Sequence, residues 1–153
     1  MNYTALHTYI ATDPDSLGLT SATRSEKTAI LNTPGNRLST AKTWTKTVAQ
    51  VPVANVLAWA AAGPLAKITD ASNDTNNAAR SIALAALKIF SGAFTIYDAS
   101  DPTNQALLAA LVSAGLCTQD QANALPVLPA SAAENLLGSG TVLTDQDIER
   151  AGF

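Results

Sequence analysis

The sequence has few of the side chains on which catalysis and metal binding depend. Its 153 residues include one cysteine, Cys117, and one histidine, His7. No disulfide can therefore form within the chain, and the usual zinc ligand sets cannot be assembled. No spacing in the sequence brings His7, Cys117 and an acidic residue into a recognisable catalytic triad. The sequence therefore predicts that the protein is not an enzyme and holds no metal or cofactor.

Charged and aromatic residues are also scarce. Charged residues make up 14% of the chain and aromatic residues 5%, whereas hydrophobic residues make up 47%. A typical soluble domain carries about 25% charged residues. The apolar residues are mostly Ala, Leu, Val and Ile, which suit closely packed helices. A surface with few charges does little to prevent association with other proteins. The composition therefore allows either an assembly partner or a surface made polar by Thr, Ser and Asn.

Long hydrophobic runs are missing as well. A membrane-spanning helix needs about 18 or more apolar residues, and the longest candidate, "VANVLAWAAAGPLAKI", is interrupted by Gly63 and Pro64. The opening stretch "MNYTALHTYI" lacks the basic region and the apolar core of a secretory signal. The sequence therefore predicts a protein that is made in the cytoplasm and has no membrane partner.

The net charge of −3 is distributed unevenly along the sequence. Residues 1–88 hold eight basic and five acidic residues, whereas residues 89–153 hold one basic and seven acidic residues. Such a difference can steer head-to-tail contacts between copies and so would allow a homo-oligomer. The alternative is that the two halves fold together and the charges mix on one surface. The net acidity argues against nucleic acid as the main partner, although five basic residues lie between Arg24 and Lys46.

Three polar stretches resemble calcium-binding loops at first sight. In "DASNDTNNA" (70–78) an oxygen-bearing side chain stands at every second position, and "DASDPTNQA" (98–106) repeats it with six of nine residues identical. Neither stretch has the Gly and Glu that a calcium loop needs at positions six and twelve. Both are predicted to be helix starts. In "DPDSLGLTSATR" (13–24) an arginine stands at position twelve, so a turn is predicted there.

The apolar periodicity of the chain is mainly helical. It predicts an all-α protein, a compact bundle of about six to eight short-to-medium helices with an extended Thr-rich segment near 37–50. The strongest helix is predicted over 74–92, with Gly92 at its end. Because apolar residues cover most of its circumference, this helix is expected to be central and buried.

The segment 37–50, "RLSTAKTWTKTVAQ", has little helical periodicity and many threonines, which favour an extended chain. It is predicted to divide the chain into an N-terminal helical hairpin (1–36), an extended arm or linker (37–50) and a helical core (51–153), together one domain. The segment either lies on a partner or forms an irregular loop whose tryptophan packs on its own domain. The candidate partner-binding residues are Arg37, Lys42, Trp44 and Lys46.

An ordered set of features runs through the whole chain. It comprises "TDPDSLGL" (12–19), a helix ending in "LN" (31–32), "IYDASDPTNQALLAALVSAGLCTQDQANAL" (96–125) and "SAAENLLGSGTVLTDQDIERA" (131–151). In this order they resemble a family of small helical proteins that tailed bacteriophages and prophages encode among their virion structural genes. The family usually has Arg where Ala132 stands and a second Glu where Asn135 stands. The middle of the chain, about 33–95, departs most from the family.

The resemblance implies a non-enzymatic structural or accessory protein of a bacteriophage. It would be made in the host cytoplasm and placed in the virion, where it docks on other phage structural proteins at the tail, the neck or the fibre-attachment region. The alternative that the sequence leaves open is a soluble assembly chaperone or host-directed binding protein that is absent from the mature particle.

Overall fold

The computed structural model describes residues 1–91 and 95–153, and these are mostly helical. Gly92, which was expected to end the strongest helix, lies outside the described residues. Within the described residues the chain forms nine α-helices and four three-residue strands. The helices are α1 (Tyr3–Thr12), α2 (Arg24–Asn32), α3 (Val53–Ala61), α4 (Pro64–Asn73), α5 (Arg80–Phe90), α6 (Pro102–Ser113), α7 (Gln119–Ala124), α8 (Ala132–Leu137) and α9 (Asp145–Arg150). The strands are β1 (Thr45–Thr47), β2 (Gln50–Pro52), β3 (Ile96–Asp98) and β4 (Val127–Pro129).

The prediction of a purely all-α protein was wrong. The four strands form two small sheets, in which β1 pairs with β4 and β2 pairs with β3. In the second sheet Val51 lies opposite Tyr97 in an antiparallel register, and both residues are buried. A strand of three residues is too short to show an alternating apolar pattern in the sequence. Such a short strand is stabilised by its partner strand, which local sequence does not reveal.

Helix starts follow local side-chain chemistry. Four helices begin with a capping box, in which the side chain of a Thr or Ser and that of the residue three positions later each accept a hydrogen bond from the other's backbone N–H. Helix α6 begins as predicted, because the carboxylate of Asp101 accepts hydrogen bonds from the next free N–H groups and Pro102 follows it. The matching prediction for 70–78 was wrong, since this stretch covers the last turn of α4 and the turn before α5.

The chain divides into two compact units. Unit 1 comprises residues 1–46 and 128–153, and unit 2 comprises residues 47–127. Unit 1 has six basic and seven acidic residues, and unit 2 has three and five. The positive first half of the sequence therefore does not become a positive unit. The division into 1–36, 37–50 and 51–153 and the number of independently folding domains stay predictions.

The core of unit 1 is formed by α1, α2, α8 and α9. Its completely buried side chains include those of Leu6, Ile10, Leu31 and Ile148. Each fully buried aliphatic side chain stabilises the fold by about 1.5–3 kcal/mol relative to an exposed one. The ends of the described chain, α1 and α9, are thereby packed together with α2.

Unit 2 is built on smaller side chains. Helix α5 buries only Ala83 and Ala86, which let it approach α4 closely, whereas Leu84 is 45% exposed. The expectation that this helix is central and buried was therefore wrong for the side of α5 that carries Leu84. The helix carries apolar residues around most of its own circumference, but the face with the two alanines is the one that packs into the core. None of the helices in the described residues is both long and apolar enough to cross a membrane.

The connection between the units allows a direct test of whether unit 1 folds alone. The Val48 N–H donates to the Pro126 carbonyl at 2.9 Å, so residues 48 and 126 lie opposite each other, although proline has no N–H to return the bond. Replacement of residues 49–125 by an Asn-Gly turn, which suits a two-residue hairpin, together with Pro126→Thr to supply the N–H that closes the turn, is expected to leave unit 1 folded with a free energy of unfolding of about 3 kcal/mol. Urea unfolding followed by circular dichroism measures this. The same protein closed by a Gly-Gly turn is the control for the choice of turn. If both proteins are unfolded, unit 1 depends on unit 2 for its stability.

Candidate functional site on the extended arm

Within the predicted arm (37–50), residues 42–46 alternate between two faces, and these residues alone are called the arm from here on. Lys42, Trp44 and Lys46 are half-buried, whereas Thr43 and Thr45 between them are exposed. Successive side chains of an extended chain point in opposite directions, which explains the alternation. The arm therefore has an inner face of long side chains and an outer face of threonines.

The inner face anchors the arm on unit 1. Trp44 packs against the core cluster of unit 1. The Lys42 ammonium group lies 3.5 Å from the Asp15 carboxylate, and the Lys46 ammonium group lies 2.5 Å from the Glu134 carboxylate. Of the two arrangements considered for this tryptophan, the structure has the one in which it packs on its own chain.

Glu134 is the main polar anchor. Its side chain is only 9% exposed, and besides Lys46 it accepts hydrogen bonds from the Ser131 N–H at 3.1 Å and the Gly140 N–H at 3.0 Å. Burial opposes the ionised form, but the hydrogen bond from Lys46 and those from the two backbone groups outweigh it, so the pKa of Glu134 lies below its ordinary value. One carboxylate thus joins the arm, the start of α8 and the glycine-containing turn that follows it.

Gly35 fixes the point where the chain enters the arm. Its N–H donates to the Ala130 carbonyl at 2.8 Å, and its carbonyl accepts from the Lys42 N–H at 2.9 Å. A Cβ atom at this position would lie 2.8 Å from the Lys42 carbonyl oxygen and 3.0 Å from the Trp44 ring. Only glycine therefore fits beneath the arm without displacing it.

One edge of the arm carries free backbone groups. The Ala130 N–H donates to the Trp44 carbonyl at 2.8 Å, which together with the pairing of residues 48 and 126 sets the register against β4. Hydrogen-bonded pairs alternate along an antiparallel ladder, so the N–H and C=O of Thr45 point away from β4. Among the described residues this sheet contains only β1 and β4, so no further strand pairs with that edge. The outer edge of the arm can therefore accept a further strand.

The four residues proposed from the sequence do not form one exposed surface. Arg37 is exposed at the end of a short 3₁₀ turn (Gly35–Arg37), whereas Lys42, Trp44 and Lys46 share the inner face. Whether these residues bind a partner stays a prediction. Thr43 and Thr45 were not singled out from the sequence, although the alternating pattern around them was visible. That pattern shows two faces but not which of them packs on the chain.

Other candidate chemistry in the described residues has structural explanations. The Asp13 carboxylate accepts hydrogen bonds from the N–H groups of Leu17, Gly18 and Leu19, which confirms the turn predicted there. Burial raises the pKa of the Cys117 thiol, which disfavours the nucleophilic thiolate. Among residues 1–91 and 95–153 no three His, Cys, Asp or Glu side chains are placed to hold a metal ion together.

Comparison with known proteins gives no family for this chain. No protein-family model matches it, and neither does any curated protein or solved structure.

Proposed function

We propose that the protein is a non-enzymatic structural or accessory protein of a tailed bacteriophage, which docks on other virion proteins through the outer edge of its arm. It is made in the host cytoplasm and resides in the virion, at the tail, the neck or the fibre-attachment region. Its partner supplies an extended segment that pairs with the Thr45 backbone and lies across the exposed threonines.

The proposal has two supports. The ordered features of 96–125 and 131–151 resemble a virion-associated family, and this resemblance carries the placement in a particle. The free edge at Thr45 carries the mode of docking, because an exposed strand edge is a template for strand addition. The anchors on Lys42, Trp44 and Lys46 hold that edge in place before the partner arrives, which lowers the entropy cost of binding.

The alternative is a soluble assembly chaperone or a host-directed binding protein that is absent from the mature particle. It would use the same edge for a transient contact. Mass spectrometry of purified virions from the phage that carries the gene separates the two functions, since only the structural protein remains in the particle.

The edge is tested by substituting proline at its centre. Thr45→Pro removes the outward N–H and leaves the ladder to β4 intact, a position where sheets tolerate proline. We expect the variant to fold but to be at least about tenfold depleted from virions, which corresponds to a loss of about 1.4 kcal/mol in docking. Thr45→Val is the matched control, because it keeps the backbone donor and should be incorporated normally.

The two variants distinguish a contact made by the Thr45 backbone from a contact made by the Thr45 side chain. Depletion of the valine variant as well would mean that the threonine hydroxyl, and not strand addition, makes the contact. Normal incorporation of the proline variant, with its fold confirmed by circular dichroism, would exclude the arm edge as the docking surface.

A further inference from the structure

The two edges of the sheet formed by β1 and β4 differ. On the side of β4 that faces away from β1 lie Pro129 and, just after the strand, Ser131. Proline has no N–H, and the Ser131 N–H donates to the Glu134 carboxylate at 3.1 Å. Two successive outward positions therefore offer no donor, which disfavours the addition of a strand to β4. The N–H and C=O of Thr45, in contrast, face outward from β1 in a sheet of only two strands among the described residues. We call this side of β1 the open edge.

The open edge lacks the charged side chains that usually protect the edge of a sheet. The two lysines of the arm turn inward, where each is paired with a carboxylate of unit 1. The side chains on the outer face are exposed threonines, which carry no charge and favour an extended chain. They are Thr43, Thr45 and Thr47. A strand added at the open edge therefore meets no unpaired charge of the arm.

The open edge is complementary to itself. The two residues of a hydrogen-bonded antiparallel pair exchange both of their N–H···O=C bonds, and both backbone groups of Thr45 face outward. A twofold axis at Thr45 therefore allows this residue to make both bonds with Thr45 of a second copy. Thr43 then lies opposite Thr47 of the second copy. The outer face gains Thr–Thr pairs across the contact, and such pairs stabilise antiparallel sheets.

We propose that the open edge pairs with the open edge of a second copy of this chain. The two sheets join into one sheet of four strands, in the order β4–β1–β1–β4, with a twofold axis at Thr45. Because Pro129 and Ser131 block the outer edges of that sheet, the assembly closes at two copies and does not extend into a fibre. The inference rests on the proposed function, which gives the same edge to a virion partner: self-pairing covers the edge until that partner replaces the second copy.

The first test is the mass of the purified protein in solution over a range of concentrations. Sedimentation equilibrium is expected to give twice the 15.7 kDa of one chain as the concentration approaches about 1 mM, because a contact of a few residues binds weakly. Thr45→Pro removes two hydrogen bonds from the symmetric contact and should weaken the dimer at least about tenfold. Thr45→Val keeps both N–H groups and should dimerise as the wild type does.

The second test is specific for a twofold axis at Thr45. Thr45→Lys and Thr45→Glu should each weaken the dimer about tenfold, since each places two like charges directly opposite one another. An equimolar mixture of the two variants should associate again, because a lysine then lies opposite a glutamate. Thr4→Lys is the control for an added charge, since Thr4 is exposed on α1, and it should dimerise normally. Circular dichroism of each variant checks that the fold is intact.

Three results would overturn the proposal. The first is a wild-type protein that stays monomeric up to about 1 mM, the weakest binding expected here. The second is a Thr45→Pro variant that dimerises as well as Thr45→Val. The third is a mixture of the lysine and glutamate variants that associates no better than either variant alone, which would mean that Thr45 does not face itself.

The same variants distinguish this inference from the proposed function. A monomeric wild type whose Thr45→Pro variant is depleted from virions would overturn self-pairing and leave docking on a virion partner in place. A dimeric wild type whose Thr45→Pro variant dissociates but is incorporated normally would support self-pairing and exclude the open edge as the docking surface.

Discussion

Glu134→Ala is expected to lower the free energy of unfolding of unit 1 by about 3 kcal/mol. The substitution leaves the Lys46 ammonium group and the N–H groups of Ser131 and Gly140 without their shared acceptor. Loss of one partner from a largely buried ion pair costs about 3–5 kcal/mol, and a buried donor left without an acceptor costs about 1–3 kcal/mol. Because Lys46 is 26% exposed, water recovers part of this loss. Urea unfolding followed by circular dichroism measures the change.

The contribution of Glu134 to the stability of unit 1 should depend on pH. Its pKa in the folded protein lies below the ordinary value of 4.5, so the ionised carboxylate stabilises the fold. This stabilisation is fully present above pH 4.5 and is lost as the pH falls through the lower folded value. Glu134→Gln cannot ionise, so the stability difference between this variant and the wild type should be full at pH 7 and shrink below pH 4.5.

Glu26 offers a matched control for Glu134. It is also the third residue of a capping box, and hydrogen bonds from the backbone and side chain of Thr23 lower its pKa too, but it is exposed and has no ion pair with the arm. Glu26→Gln should therefore cost less than Glu134→Gln at pH 7. Equal losses in the two variants would show that Glu134 acts only as a helix cap and does not anchor the arm.

Gly35→Ala is expected to displace the arm and to destabilise unit 1 by about 2–3 kcal/mol, in the upper part of the range of about 1–3 kcal/mol that is usual for an overpacked site. The new methyl group would meet the Lys42 carbonyl, which belongs to the backbone and cannot rotate away, and the Trp44 ring. Since Trp59 is the other tryptophan, the fluorescence of Trp44 is best followed with Trp59 replaced by phenylalanine. We expect a shift of the emission to longer wavelength as Trp44 leaves the core.

Gly18→Ala is the control that distinguishes a clash beneath the arm from the loss of the backbone freedom of a glycine. Gly18 has a positive φ of 80°, but a Cβ atom there would meet nothing within 4 Å. The substitution should cost about 1–2 kcal/mol through backbone strain and leave the Trp44 emission unchanged. An unshifted emission in Gly35→Ala would contradict the close packing described beneath the arm.

Several features of the fold follow from the sequence alone. The chain is mostly helical because apolar residues recur at helical spacing. The start of α6 could be predicted because Asp101 and Pro102 act on the backbone beside them. The turn after Asp13 and the alternating faces of the arm are equally local, since the groups that make them lie within a few residues of each other.

Other features were decided by contacts between residues far apart in the sequence. Glu134 and Lys46 are 88 positions apart, and no local pattern relates them. The alternation in the arm showed two faces, but only the packing of Trp44 on unit 1 decided that the threonines face outward. In the sequence, apolar residues occur on all sides of helix α5, yet Ala83 and Ala86 are buried and Leu84 is exposed. Apolar residues favour burial wherever they stand, so which of them is enclosed depends on how closely two helices can approach, and small side chains allow the closest approach.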